Sequence, residues 1–109
     1  MRLRELFVRR LPQLESLPKW LKGSANTLQF LRITDCENLA VLPEWLSDLS
    51  SLRKLQISDC RKLSSLPEAM DQLTALRELE IAYCPELRRN CEQEVGKDWG
   101  KMVKFTFRD

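Results

Sequence analysis

Leu52-Arg53-Lys54-Leu55-Gln56-Ile57-Ser58-Asp59-Cys60-Arg61-Lys62-Leu63-Ser64-Ser65-Leu66-Pro67 is the stretch whose reading decides the fold. Shifted back by 24 residues, its apolar frame falls on Leu28, Leu31, Ile33, Cys36, Leu39 and Leu42-Pro43. Shifted forward by 24, it falls on Leu76, Leu79, Ile81, Cys84 and Leu87. A fourth copy fits at a shift of 25: Leu3, Leu6, Val8, Leu11, Leu14 and Leu17-Pro18. An internal repeat of this length means a stack of small units that bury a continuous core between them.

Within each unit the second Leu and the Ile alternate with polar residues, the period of a short half-buried strand. The Leu-Pro step then punctuates an outer arc, since proline donates no backbone hydrogen bond and disfavours helix in the residue before it. Short turns of helix are expected after it, over Glu44-Trp45-Leu46 and its equivalents. Trp20 and Trp45 share one slot and are expected to pack on that convex side. The first unit holds one extra residue within 22–27, expected on the convex rim, where loops tolerate insertion.

The predicted architecture is an α/β solenoid: a parallel concave β-sheet, convex loops with short helical turns, and a C-terminal cap. Repeats are placed at about 3–27, 28–51, 52–75 and 76–90, and the cap at 91–109. In the cap, Asp98 is read as a helix N-cap and Trp99 as cover for the last core layer. Val103, Phe105 and Phe107 alternate with polar residues and read as a final strand.

Composition narrows function mainly by exclusion. The 109 residues are 43% hydrophobic and 31% charged, with a net charge of +2, which fits one folded domain rather than disorder. No apolar run approaches the roughly 20 residues of a membrane span, so membrane insertion is not expected. The charge is graded: net +5 over residues 1–32, −4 over 33–84 and +1 over 85–109. That total is too small and too dispersed for a nucleic-acid stripe. With no histidine and no carboxylate pair placed for burial, acid–base catalysis has little to work with, so no enzyme activity is expected. Gly23, Gly96 and Gly100 form no phosphate loop, and no cofactor is expected.

Three of the four cysteines occupy one slot of successive repeats, which explains them as a ladder of small buried residues before redox or metal chemistry is needed. In the first unit Leu11 replaces the cysteine on volume. The 24-residue spacing matches no familiar zinc motif, and Cys91 could bridge Cys84 only if its side chain points back. Reduced thiols point to an intracellular protein, cytoplasmic and also compatible with the nucleus.

The Leu-x-x-Leu-x-Ile-x-x-Cys-x-x-Leu-x-x-Leu-Pro frame resembles the leucine-rich repeats of plant intracellular nucleotide-binding disease-resistance receptors, particularly the coiled-coil class. The tail, Cys84-Pro85-x-Leu87-x-x-x-Cys91 followed by Gly96-x-Asp98-Trp99-x-Lys101-Met102, is similar to the segment that closes many of them. The last residues depart from that pattern: Met102, Lys104, Phe105 and Thr106 stand where the family tends to carry Ile, His, Ile and Pro. The resemblance implies a C-terminal piece of a receptor. Its repeats would bind a pathogen effector or a modified host protein, and would help hold the receptor's own nucleotide-binding domain at rest.

Strand parity names the candidate contacts. Residues between the inward leucines point to the concave face and form columns: Glu5, Phe30, Lys54, Glu78; then Phe7, Arg32, Gln56, Glu80; then Arg9, Thr34, Ser58, Ala82; then Arg10, Asp35, Asp59, Tyr83. Phe7, Arg9, Phe30, Arg32, Lys54, Gln56, Glu78, Glu80 and Tyr83 are the candidate partner-binding residues. Aromatic side chains flanked by arginines have the composition of interface hot spots. Phe7 and Phe30 could instead pack on one another or on upstream repeats. Because Leu3-x-x-Leu6-x-Val8 already belongs to a repeat, more repeats are expected upstream, and an uncovered first strand would favour self-association. The other readings left open are a segment that packs only on the receptor's own nucleotide-binding region, and an engineered array, which the irregular first unit and tail disfavour.

Overall fold

In the computed structural model, described for residues 3–11, 13–67, 70, 72–92 and 104–108, each repeat supplies one strand to a single sheet. The strands are β1 (Glu5–Arg9), β2 (Phe30–Thr34), β3 (Lys54–Ser58), β4 (Glu78–Ala82) and β5 (Lys104–Arg108). They pair in parallel in chain order, β1-β2-β3-β4-β5. Register follows the sequence shift residue for residue: Leu6, Leu31, Leu55 and Leu79 align, as do Val8, Ile33, Ile57 and Ile81. Phe105 and Phe107 take the register positions next to Leu79 and Ile81, which places the expected final strand in the sheet. The Asp98 and Trp99 cap lies outside the described residues.

The inward leucines, isoleucines and cysteines form one core running through the stack. Leu28, Leu31, Ile33, Leu39, Leu52, Leu55, Ile57 and Leu63 are completely buried. Burying a side chain of this kind contributes roughly 1.5–3 kcal/mol, so the stacked layers dominate stability. On the convex side, Pro18 and Pro43 sit in extended conformation at the entry to 3₁₀ turns, Lys19–Ser24 and Glu44–Asp48. The first turn is one residue longer, and that absorbs the extra residue of the first unit.

Two backbone devices turn the chain at the end of each strand. Arg10, Asp35, Asp59 and Tyr83, at one slot of the four units, are all left-handed, with φ between 51° and 57°. This conformation lets the N–H groups of Arg10, Asp35 and Asp59 donate to Thr34, Ser58 and Ala82 carbonyls on the next strand, at 2.9–3.0 Å. It extends the sheet ladder by one rung while the chain bends away. The conformation is uncommon outside glycine, with Asp among the residues that tolerate it best.

The cysteines supply the second device. Each thiol donates to the carbonyl two residues earlier: Cys36 to Thr34 at 3.6 Å, Cys60 to Ser58 at 3.4 Å, and Cys84 to Ala82 at 3.4 Å. Each sulfur also accepts a backbone N–H from the unit before it. Leu11 donates to Cys36, Cys36 to Cys60, and Cys60 to Cys84, the last at 3.3 Å. Burial pushes the Cys36 thiol up from its ordinary value. Cys60 is pushed up by its hydrogen bond with the Cys84 thiol and then by burial. The three ladder cysteines are buried thiols rather than disulfides, and the side chain of Cys91 lies outside the described residues.

Three local expectations need correction. Leu11 does not fill the cysteine slot as a core residue; it is 46% exposed, because its backbone N–H, not its side chain, serves the ladder. Trp20 is 62% exposed, whereas Trp45 in the equivalent slot packs against the core. The turn that carries Trp45 is stacked beside the turn of the first unit. Ala82 is buried rather than part of an open column. From Pro85 the chain forms helix α1 (Pro85–Glu92). Proline suits the first helical position because its missing N–H would have no intrahelical partner there. Leu87 anchors α1 in the core, and the Asn90 amide donates back to the Ser64 carbonyl of the preceding unit.

Candidate functional site

The concave sheet face carries the side chains that differ most from unit to unit. Register sets Glu5, Phe30, Lys54 and Glu78 side by side, and Phe7, Arg32, Gln56 and Glu80 beside them. Phe7 and Phe30 sit diagonally across β1 and β2 and meet edge to face, with ring centroids 5.6 Å apart and an interplanar angle of 86°. This is a favoured arrangement for two aromatic quadrupoles. The Lys54 ammonium lies 5.3 Å from the Phe30 ring centre and 3.5 Å from a Glu78 carboxylate oxygen. One row of contacts therefore crosses four strands: Phe7, Phe30, Lys54, Glu78. Such exposed ion pairs contribute at most about 1 kcal/mol, so the row orients side chains more than it stabilises the fold.

Phe7 stays 59% exposed despite its aromatic contact. With Val8, Arg9, Arg32 and Thr34 it lines a groove of about 450 Å³ at the β1–β2 corner. The structure thus brings Phe7, Arg9 and Arg32 together, and joins Phe30, Lys54 and Glu78 to them through the row. Gln56 stands between Arg32 and Glu80 in the next column. Tyr83 is separate: exposed, left-handed and beyond the end of β4, it belongs to the rim.

Two features escaped the sequence reading. Thr34 lines the corner groove and accepts a hydrogen bond from the Ser58 hydroxyl at 3.2 Å, a cross-strand link that matched hydroxyl slots could have suggested. A second groove of about 390 Å³ runs along the rim, lined by Asp35, Glu37, Asp59, Arg61 and Lys62. Its origin is the left-handed slot, where Asp in two successive units was the available signal. There Arg10 pairs with Asp35 at 3.4 Å, across well-exposed surface. Among the described residues no group of three His, Cys, Asp or Glu is placed to hold a metal ion.

A family model described as R13L1/DRL21 LRRs matches residues 1–59 and, in an overlapping second match, residues 40–84. The chain belongs to the R13L1/DRL21 leucine-rich repeats. A search of curated proteins found no significant match. Membership makes the chain a leucine-rich-repeat region of the plant resistance-protein type, a protein-interaction module of a kind that is generally non-enzymatic. Among the described residues no helix of this leucine-rich repeat is long and apolar enough to cross a membrane.

Proposed function

We propose that this chain is the recognition and autoinhibition module of a plant immune receptor of the coiled-coil nucleotide-binding class, working in the cytoplasm or the nucleus. Its concave face binds a pathogen effector or a guarded host protein, and the same array restrains the receptor's nucleotide-binding domain. The observation that carries this reading is the division of each strand into two roles. The inward positions repeat Leu and Ile, whereas the outward ones run Glu, Phe, Lys, Glu and Phe, Arg, Gln, Glu across the four units. A surface that varies on a fixed frame can be retuned without loss of fold. Phe7, Arg9, Phe30, Arg32, Lys54, Gln56, Glu78 and Glu80 are the proposed contacts, with Tyr83 as a rim contact.

The test is a pull-down with the candidate effector, the guarded host protein and the receptor's nucleotide-binding domain, using Arg32→Glu and Glu80→Lys together. Charge reversal is expected to lose at least one of these partners; retention of all of them would sink the concave-face assignment. A second reading, a segment that only packs on the receptor itself, draws support from the exposed Leu11 and Trp20, which offer apolar contact away from the concave face. It predicts binding to the nucleotide-binding domain alone, lost on Trp20→Ala and kept on charge reversal.

A further inference from the structure

The β1–β2 corner is more specific than a general recognition surface. Arg9 and Arg32 both face its groove, and among the described residues neither has an ion-pair partner. Two neighbouring cations, by contrast, are already engaged: Lys54 by Glu78 and Phe30, and Arg10 by Asp35. Two unpaired guanidinium groups on diagonally related positions of adjacent strands can converge on one carboxylate, for which their planar fork is suited. Thr34 adds a neutral donor. Its oxygen accepts from Ser58, which leaves its own hydroxyl proton available to the same anion.

Phe7 supplies the other half of the site. Its edge-to-face contact and the lysine above Phe30 occupy Phe30 and leave Phe7 as the open apolar wall. Phe7 and Arg9 are two residues apart on one strand, so their side chains stand on the same face, roughly 7 Å apart. An extended chain laid along β1 repeats that spacing in its own i and i+2 side chains. Resting on the concave-face reading above, we infer that the corner binds an extended segment of a partner protein carrying an apolar residue and, two positions on, an Asp or Glu. The apolar side chain packs on Phe7, and the carboxylate lies between Arg9 and Arg32 within reach of Thr34.

The charge gradient selects a short acidic peptide over a polyanion. Beyond Arg32 the columns run through Gln56 to Glu80 and through Lys54 to Glu78 before they reach Thr106 and Lys104 on β5, and residues 33–84 carry net −4. A phosphate chain following the sheet would meet that field, whereas a single carboxylate stops at the arginines.

The probe is the pentapeptide Ser-Leu-Ser-Glu-Ser, acetylated and amidated, titrated into the ¹⁵N-labelled 109-residue chain at low salt and followed by amide chemical shifts. Saturable shifts at Phe7, Arg9, Arg32 and Thr34 are expected. Replacing the peptide Glu by Gln, or placing Leu and Glu next to each other, should weaken binding at least about fivefold, as should Arg9→Glu or Arg32→Glu. Equal binding of the Gln peptide would overturn the acidic class while leaving a concave-face site. Shifts confined to other surfaces, or none at all, would overturn the corner; with partners retained in the pull-down above, the concave-face reading would fall as well. Stronger binding of a ten-nucleotide thymidine strand at the same residues would replace the peptide with a polyanion and also overturn the proposal.

Discussion

Raising the pH should destabilise this array through its cysteine ladder, by an amount that can be worked out in advance. Cys36 and Cys60 are completely buried, and their thiols are shifted upward from an ordinary value of 9.0. For Cys36 the leading cause is burial; for Cys60 it is the hydrogen bond with Cys84, with burial second. In the unfolded chain both ionise near the ordinary value. Above that pH the folded state therefore holds protons that the unfolded state has released. A group of this sign gives its full stability below about pH 9 and loses it progressively as pH rises towards the folded value. One unit above the ordinary value, ionisation stabilises the unfolded chain by about 1.4 kcal/mol for Cys60. Cys36 adds at most a similar amount. Against a total stability of roughly 5–15 kcal/mol, that shift is readily measured.

The assay is urea unfolding followed by far-ultraviolet circular dichroism under reducing conditions, at pH 7.5 and pH 10, for the parent and for Cys60→Ala. Lysine and tyrosine ionisation affects both proteins and drops out of the comparison. The cavity left by the substitution also drops out, since it costs the same at each pH. The parent should lose about 1.4 kcal/mol more than the variant between the two pH values. Equal losses would mean that the thiolate forms inside the folded array, and the ladder would then not be the closed hydrogen-bonded column described here.

Three further expectations concern the frame. Tyr83→Asn should raise stability by about 0.5–1 kcal/mol in the same urea assay, because the left-handed backbone at φ 57° suits Asn better than Tyr. Leu55→Ala, at the centre of the stack, should cost about 3–5 kcal/mol and lower the melting temperature steeply, since neighbouring layers on both sides limit collapse into the cavity. Gly23→Ala should be neutral or stabilising by up to about 1 kcal/mol: a Cβ there meets nothing within 4 Å, and the residue is not left-handed.

Most of the fold was legible because a 24-residue shift is also a spatial translation. Once Leu31, Leu55 and Leu79 occupy one slot, parallel pairing in matched register follows, and strand parity sorts inward from outward positions. What stayed hidden depends on neighbours or on backbone angles rather than on residue type. Leu11 shares a slot with buried cysteines and Trp20 with the partly buried Trp45, yet burial of a slot is decided by the unit beside it. The left-handed slot was disguised by Arg10 and Tyr83, which rarely adopt that conformation; only Asp35 and Asp59 hinted at it. Helix α1 was masked because Cys84 and Leu87 keep the repeat frame while Pro85 changes the path between them. The candidate contacts were readable as columns. The corner groove was not, because its shape comes from how Phe7 leans on Phe30 and how Lys54 covers the other ring.

The same division explains where this array can change without loss of fold. Outward residues such as Arg32, Gln56 and Glu80 touch little of the core, so substitutions there are expected to move stability by no more than about 0.5 kcal/mol. Inward positions carry several times that. The rim slot breaks the separation. Asp35, Asp59 and Tyr83 expose their side chains, yet their backbone is left-handed to release the chain to the cysteine ladder, and at Asp35 and Asp59 it also makes the last sheet rung. A β-branched residue there would strain every one of those functions at once. Recognition drawn from the strand columns is therefore free to vary in size and charge. Recognition drawn from the rim is confined to the few residue types that the turn accepts, which argues for specificity concentrated at the β1–β2 corner rather than in the rim groove.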